Sequence, residues 1–305
     1  MAYRLLPDED VGDGVARIAA EELDDAIGQL REQLDDDPVK AIHSARKALK
    51  KERALLRLVR GAVYPDVYDH ENQVLRDAGR RLSGTRDAQV ALQTLDKLRE
   101  QYAGRLSAAT FDALERALRL RTPRTGPGSA VRAVAAAVAT DLEASRDRLL
   151  RWTGHAISWK QLERGLDRTY KRGREALAAA QDDRDDEHLH EWRKRVKDLW
   201  YHQRVLQPIW PALMEAQADQ LGDLGELLGD DQDLANLRRT LTTEDSLTST
   251  VADDLDPLVE LVDLRRAQLV EQALQLGQRV YAETPQAYRD RHQSYYRAPR
   301  GAAAT

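Results

Sequence analysis

Beyond a short apolar stretch at Tyr3–Leu6, hydrophobic positions along the chain return every three or four residues, the period of an amphipathic helix. This spacing predicts helices over 13–34, 38–60, 69–83, 87–102, 107–119 and 129–151. A second series follows over 156–180, 187–206, 211–228, 232–241, 250–261 and 262–281. The breaks carry helix-ending chemistry: Pro38, Pro65, the PRTGPGS run at 123–129, Gly154, Pro208 with Pro211, and Pro257. Pro257 sits badly inside a straight 250–261 helix. Tyr3–Leu6 reads as a short strand, and β-branched residues are otherwise too dispersed for a sheet. The fold class expected is all-α.

Polar positions add a second pattern. HSARKALKKERALLR begins at His43 and HEWRKRVKDLWYHQR at His190, a displacement of 147 residues. On a helix, His43, Arg46, Lys47, Lys50 and Arg57 fall within about 100° of one another, as do His190, Arg193, Lys194, Lys197 and Arg204. The opposite faces are apolar, with Ala45, Leu49, Leu55, Leu56 and Val59 on the first and Trp192, Val196 and Leu199 on the second. LSGTRDAQVAL from Leu82 matches LGDDQDLANL from Leu228, and Asp87 and Asp233 read as helix caps after polar turns. REQLDDD upstream corresponds to REALAAAQDD. An internal duplication is expected, giving two pseudo-symmetric four-helix-bundle-like halves. They would span residues 1–153 and 154–305, the second with a C-terminal extension.

Charge localises the chemistry. Against 47 Lys and Arg stand 52 Asp and Glu, for a formal charge of −5, so any anion site must be local. Acids are segregated at 35–37, 182–187 and 230–233, while Glu52 is the only acid between His43 and Arg60. Like charges at i,i+3 and i,i+4 cost roughly 0.2–0.5 kcal/mol per pair, a repulsion that a multivalent anion relieves. Lys160, Arg164, Arg168, Lys171, Arg172 and Arg174 extend the basic supply. A solvated basic face is the plain alternative for one helix alone; its recurrence favours anion binding. The acidic balance argues against nonspecific duplex DNA binding.

Other chemistries find little support. Cysteine is absent, excluding disulfides and thiolates, and neither GxxxxGK[ST] nor HExxH occurs. Gly222, Gly225 and Gly229 form no nucleotide fingerprint. His188 and His190 diverge by about 200° on a helix and chelate one metal poorly, so no metal is expected. The tryptophans at 152, 159, 192, 200 and 210 read as core. His43 and His190 lack a registered nucleophile, which favours ligand contact over catalysis; surrounding cations would keep their rings neutral until an anion arrives. No apolar run suits a membrane span or signal peptide, and a cytoplasmic protein is expected.

The doubled H-x-x-R-K-x-x-K pattern at His43 and His190 resembles the CHAD family of conserved-histidine α-helical domains. TYKRGR from Thr169, the LSGTRD and LGDDQD turns and the PQAYRDRHQSYY segment strengthen that resemblance, which covers essentially the whole chain. It implies two helical bundles around a basic cavity that binds inorganic polyphosphate, with granule-associated proteins as further partners and granules as a location. The implied site is His43, Arg46, Lys47, Lys50, Arg57, His190, Arg193, Lys194, Lys197 and Arg204, extended by Tyr170, Arg172 and Arg174. Gln232 stands where the first half has Arg86, which weakens that rim. The expected role is binding without catalysis or cofactor, outside a membrane and without nucleic acid, the oligomeric state left open. Two alternatives remain: a metal-dependent polyphosphate or organophosphate hydrolase, and an RNA or protein scaffold.

Overall fold

The computed structural model describes residues 3–83, 87–121, 128–152, 157–244, 247 and 254–301. Among them run α1 (Val11–Arg31), α2 (Pro38–Leu58), α3 (Pro65–Arg81), α4 (Asp87–Gln101), α5 (Ala108–Arg121) and α6 (Ser129–Trp152). There follow α7 (Trp159–Asp182), α8 (Asp186–Val205), α9 (Pro211–Thr243), α10 (Leu255–Val280) and α11 (Pro285–Gly301). Local chemistry starts them. Asp10, Asp37 and Asp185 accept from the backbone N–H of Gly12, Lys40 and His188 at 2.8, 3.0 and 2.7 Å, supplying orphan donors with an acceptor. Pro38, Pro65 and Pro211 open their helices, where a missing N–H costs nothing.

α1 packs against α2 and α6, and α3 closes that group against α2 and α6. α8 packs against α7 and α9, α9 against α10, and α11 lies on α7. One apolar core runs through both groups, from Ile18, Leu49 and Leu142 to Leu166, Trp192 and Leu224. A second core joins α4 and α5 to the far end of α9 and the start of α10, through Leu95, Phe111, Leu114, Leu237 and Leu258. Both halves of the chain therefore contribute to one packing unit. The element order also recurs around α2 and α8. Each ends in a 3-10 turn, Arg60–Ala62 or Gln207–Ile209, and each is followed by an aromatic residue and proline at the next helix start, Tyr64-Pro65 or Trp210-Pro211.

Several expectations need correction. The helices drawn over 211–228 and 232–241 are one, α9, because the acids expected to turn the chain have partners across the fold. Asp231 accepts from Arg266 of α10 at 2.8 Å, and Asp230 from Lys97 of α4 at 2.8 Å. Asp233 consequently lies inside a helix and caps none; the turn around 84–86 and the side chain of Asp87 lie outside the described residues. The helices drawn over 250–261 and 262–281 share α10, whose third residue is Pro257, within the first turn where N–H groups have no intrahelical acceptor. Tyr3–Leu6 is no strand: the Leu5 N–H donates to the Val205 carbonyl and the Tyr3 hydroxyl to the Lys51 carbonyl, at 3.0 and 2.7 Å. The segment straps α2 to α8. α11, which carries the PQAYRDRHQSYY run, lies beyond the helices that the hydrophobic period predicts.

Buried ionisable groups couple this packing to pH. Burial pushes His202 and His292 down to about 4 from 6.5; the unfolded chain protonates first on acidification, so their contribution is lost as pH falls through that window. Burial, reinforced by Glu22 and Glu71, pushes Glu52 up to about 8 from 4.5. The folded chain then holds a proton that the unfolded chain releases, and stability declines as pH rises between those values. Glu52→Gln should therefore be more stable than the native protein at pH 8, by several kcal/mol at roughly 1.4 per unit. The gain should vanish toward pH 4.5. Urea denaturation across this range checks it, and a pH-independent difference would contradict it.

Candidate functional site: paired basic helices

α2 and α8 meet through their C-terminal portions. Arg57 Nη1 lies 2.8 Å from Asp198 Oδ1, and the buried His202 Nε2 donates to the Ala54 carbonyl at 2.8 Å. Toward the N-terminal portions, the repeated cations share comparable settings. His43 and His190 are exposed, Lys47 and Lys194 are exposed, and Arg46 and Arg193 are half-buried. The buried faces match expectation, with Ala45, Leu49, Leu55 and Leu56 on α2, Val59 just past its end, and Trp192, Val196 and Leu199 on α8 all in the core.

The basic face of α8 is laid on α9 by glycines. A Cβ at Gly225 would come within 2.9 Å of Lys197 Cε, and one at Gly229 within 3.3 Å of Arg193. The spacing of Gly222, Gly225 and Gly229 thus clears a flat strip beneath long cationic side chains. Trp200 adds an aromatic seat, with Lys197 Nζ 4.7 Å and Arg204 4.9 Å from its ring centroid. Such contacts contribute about 0.5–1 kcal/mol at exposed sites. In the first half, Arg46 Nη1 donates to the Gly79 carbonyl of α3 at 3.3 Å. In the sequence these glycines make no nucleotide motif and Trp200 reads as core; the i,i+3,i+7 spacing of the glycines is the signal that points to a packing strip.

His190, exposed overall, has its proton affinity lowered by partial desolvation of its ring and then by Lys194, with Arg193 adding to it and a hydrogen bond with Gln232 opposing. An anion placed between these cations reverses that field. Polyanion binding should therefore take up a proton and strengthen as pH falls from 7.5 toward 5.5, and His190→Gln should flatten this dependence. Calorimetry in buffers of different ionisation enthalpy reads the uptake directly; zero uptake would remove His190 from the site.

Several expected site residues are placed differently. Tyr170 is fully buried, stacked on Tyr288 at 3.8 Å, and donates its hydroxyl to the Val280 carbonyl at 3.1 Å. It is a core residue and offers nothing to a surface anion. Arg174 donates to the carbonyls of Tyr281 and Glu283, fastening the α10–α11 turn. Arg57 and Arg204 occupy equivalent positions but differ in setting, the first ion-paired with Asp198 and the second stacked on Trp200. Lys50 is exposed while Lys197 is half-buried. Arg172 is exposed on α7. Acids also reach the basic helices from farther along the chain than expected, Glu22 contacting Lys51 at 2.7 Å. Of the tryptophans, Trp159 and Trp192 are buried, Trp200 is half-buried, and Trp210 is 49% exposed, which corrects its assignment to the core; the side chain of Trp152 lies outside the described residues.

The acidic run before α8 forms one cluster. Ligand atoms of Asp183, Asp185 and His188 lie within 4.8 Å of one another. Asp185 Oδ1 already caps the His188 N–H and meets His188 Nδ1 at 2.9 Å, which accounts for the geometry as helix capping. Among the described residues no helix is long and apolar enough to cross a membrane.

Comparison with known proteins agrees with this architecture. A crystal structure of the CHAD domain from the plant Ricinus communis superimposes with a TM-score of 0.55 at 19% identity, covering 92% of this chain and 95% of that one. At that identity the likeness concerns the fold. No curated protein sequence matches. The sequence model of the CHAD domain matches residues 17–242. With that match spanning most of its length and including both histidine helices, the chain belongs to the CHAD domain family.

Proposed function

We propose that this protein binds inorganic polyphosphate along the paired basic faces of α2 and α8, as a binding protein without catalytic activity. The observation that carries this reading is the repeated presentation of His43, Lys47, His190 and Lys194 to solvent, on two joined helices of a chain whose net charge is −5. Residues one helical turn apart are about 5.4 Å apart along the axis, so such rows follow a flexible chain of phosphates without reading bases. Lysine supplies a point charge and arginine a fork of donors for phosphate oxygens. Arg46, Lys50, Arg193, Lys197 and Arg204 complete the face. The amended site omits Tyr170 and Arg174, whose polar atoms serve the core and the α10–α11 turn, and leaves out Arg57 and Arg172, which line a recess where α7 crosses the end of α2. Association with polyphosphate granules, and with proteins there, follows from such binding.

The test is a competition series with polyphosphate, ATP and RNA. Polyphosphate should displace RNA, while the same phosphate concentration supplied as orthophosphate should not. Stronger competition by RNA would move the reading to a scaffold. Release of orthophosphate from polyphosphate with Mg²⁺ or Mn²⁺ would replace binding with hydrolysis.

A further inference from the structure

A second concentration of positive charge lies where α7 crosses the end of α2. A narrow recess there is lined by Arg57, Arg60, Tyr68, Arg168, Thr169, Arg172, Arg195 and Asp198. Five guanidinium groups thus surround one carboxylate. Asp198 is already engaged, by Arg57 at 2.8 Å and Arg195 at 3.5 Å. Among the described residues no carboxylate contacts Arg60, Arg168 or Arg172. Arg60 lies over the Tyr68 ring at 4.6 Å. Arg168 lies against Gly61, with Nη2 buried and lacking a hydrogen-bond partner. Burial, then Arg60 and Arg172, makes Arg168 a weaker base than usual. A buried donor is costly when left unsatisfied.

The recess stands outside the repeated pattern. At the displacement of 147 that pairs Arg57 with Arg204, Arg60 falls on Gln207 and Arg195 on Ala48. α1, which precedes α2 as α7 precedes α8, carries Glu21, Glu22, Asp24 and Asp25, with Arg17 and Arg31 as its only basic residues. The duplicated face explains Arg57 but not the gathering of Arg60, Arg168, Arg172 and Arg195.

From this geometry we infer that the recess is a separate site for one dianionic terminal phosphoryl group, either free orthophosphate or the end of a phosphate chain. An interior phosphate of a chain carries one charge and two bridging oxygens. A terminal phosphoryl group carries up to two charges near neutral pH and three oxygens free to accept. Convergent arginine forks suit the second, because each fork grips two oxygens at once. The tightness of the recess favours a single group over a continuing chain. In its chain-end form the inference deepens the polyphosphate reading; in its orthophosphate form it stands without it.

The test compares linear tripolyphosphate, which has two ends, with cyclic trimetaphosphate, which has none. In ³¹P spectra of tripolyphosphate titrated with the whole protein, the terminal resonance should shift and broaden ahead of the central one. Arg60→Gln with Arg168→Gln should abolish that selectivity and weaken tripolyphosphate about tenfold, leaving trimetaphosphate nearly unchanged. Removing mutually repelling charges should leave the melting temperature equal or higher. Should the double variant unfold, the resonance order in the native protein decides alone. Orthophosphate that erases the terminal shift assigns the recess to free phosphate; orthophosphate without effect assigns it to chain ends. Equal perturbation of both resonances, or equal loss of both ligands in the variant, would overturn the site. Lys47→Ala with Lys194→Ala should weaken long polyphosphate while keeping the terminal selectivity, so failure of the basic faces and failure of the recess are separable.

Discussion

Changing Lys47 and Lys194 together to alanine should weaken binding of long polyphosphate by at least tenfold while the protein stays folded. Both ammonium groups are exposed at equivalent positions of α2 and α8. Lys194 contacts Glu191, which also holds Arg195, so Glu191 keeps a partner after the change. Alanine has the best helix propensity, and surface substitutions of this kind stay within about 0.5 kcal/mol. Each cation lost should also lower the salt dependence, by about 0.7 in the logarithmic slope for a single-stranded polyanion. Leu49→Ala is the contrasting change: it truncates a buried side chain of α2 and should cost about 2–5 kcal/mol. Binding isotherms at two salt concentrations with parallel melts separate the two. Normal binding by the lysine variant, or loss only through unfolding, would reject the division between ligand face and core face.

Gly165→Ala should be the most damaging glycine-to-alanine change among the described residues. A Cβ at Gly165 of α7 would lie 1.8 Å from the Leu58 carbonyl oxygen and 2.6 Å from its carbonyl carbon. Those are backbone atoms at the end of α2, which no rotamer change can move aside. Relief requires α7 to lift away from α2, opening the core at Leu58, Leu162 and Leu166, each fully buried. Overpacking commonly costs about 1–3 kcal/mol and more where backbone must move, so a loss of roughly 3 kcal/mol or more is expected. The melting temperature should drop by about 6–12 °C. Gly28 of α1 is the control, since a Cβ there meets nothing within 4 Å. Gly28→Ala should add roughly 0.5–1 kcal/mol by helix propensity. A Gly165→Ala protein melting with the native one would show that α7 and α2 are not in backbone contact.

The helical class and both basic faces were legible because they depend on local period. Leu49 and Val196 face the core, and Lys47 and Lys194 face water, wherever the helices are placed. What depends on distant partners was not legible. The DDQD run reads as a turn until Arg266 and Lys97 arrive to pair with Asp231 and Asp230. Tyr170 sits beside a basic run in sequence, yet on the helix it points to the side packed with Tyr281 and Tyr288. His202 lies on the buried side of α8 between Leu199 and Val205 and finds an acceptor 148 residues away in the Ala54 carbonyl. Asp198, the carboxylate that organises Arg57 and Arg195, is likewise on α8 but acts across to α2. Periodicity gives a side chain's direction, whereas a partner belongs to the tertiary fold.

The most direct measurement is calorimetric titration with linear polyphosphates of increasing length at two ionic strengths. Single exposed ion pairs contribute only about 0–1 kcal/mol each, so binding along two cationic faces depends on many contacts by one ligand. Affinity should rise with chain length until the faces are spanned, fall steeply with added salt, and fall less steeply after Lys47→Ala with Lys194→Ala. Affinity independent of both chain length and salt would contradict the account.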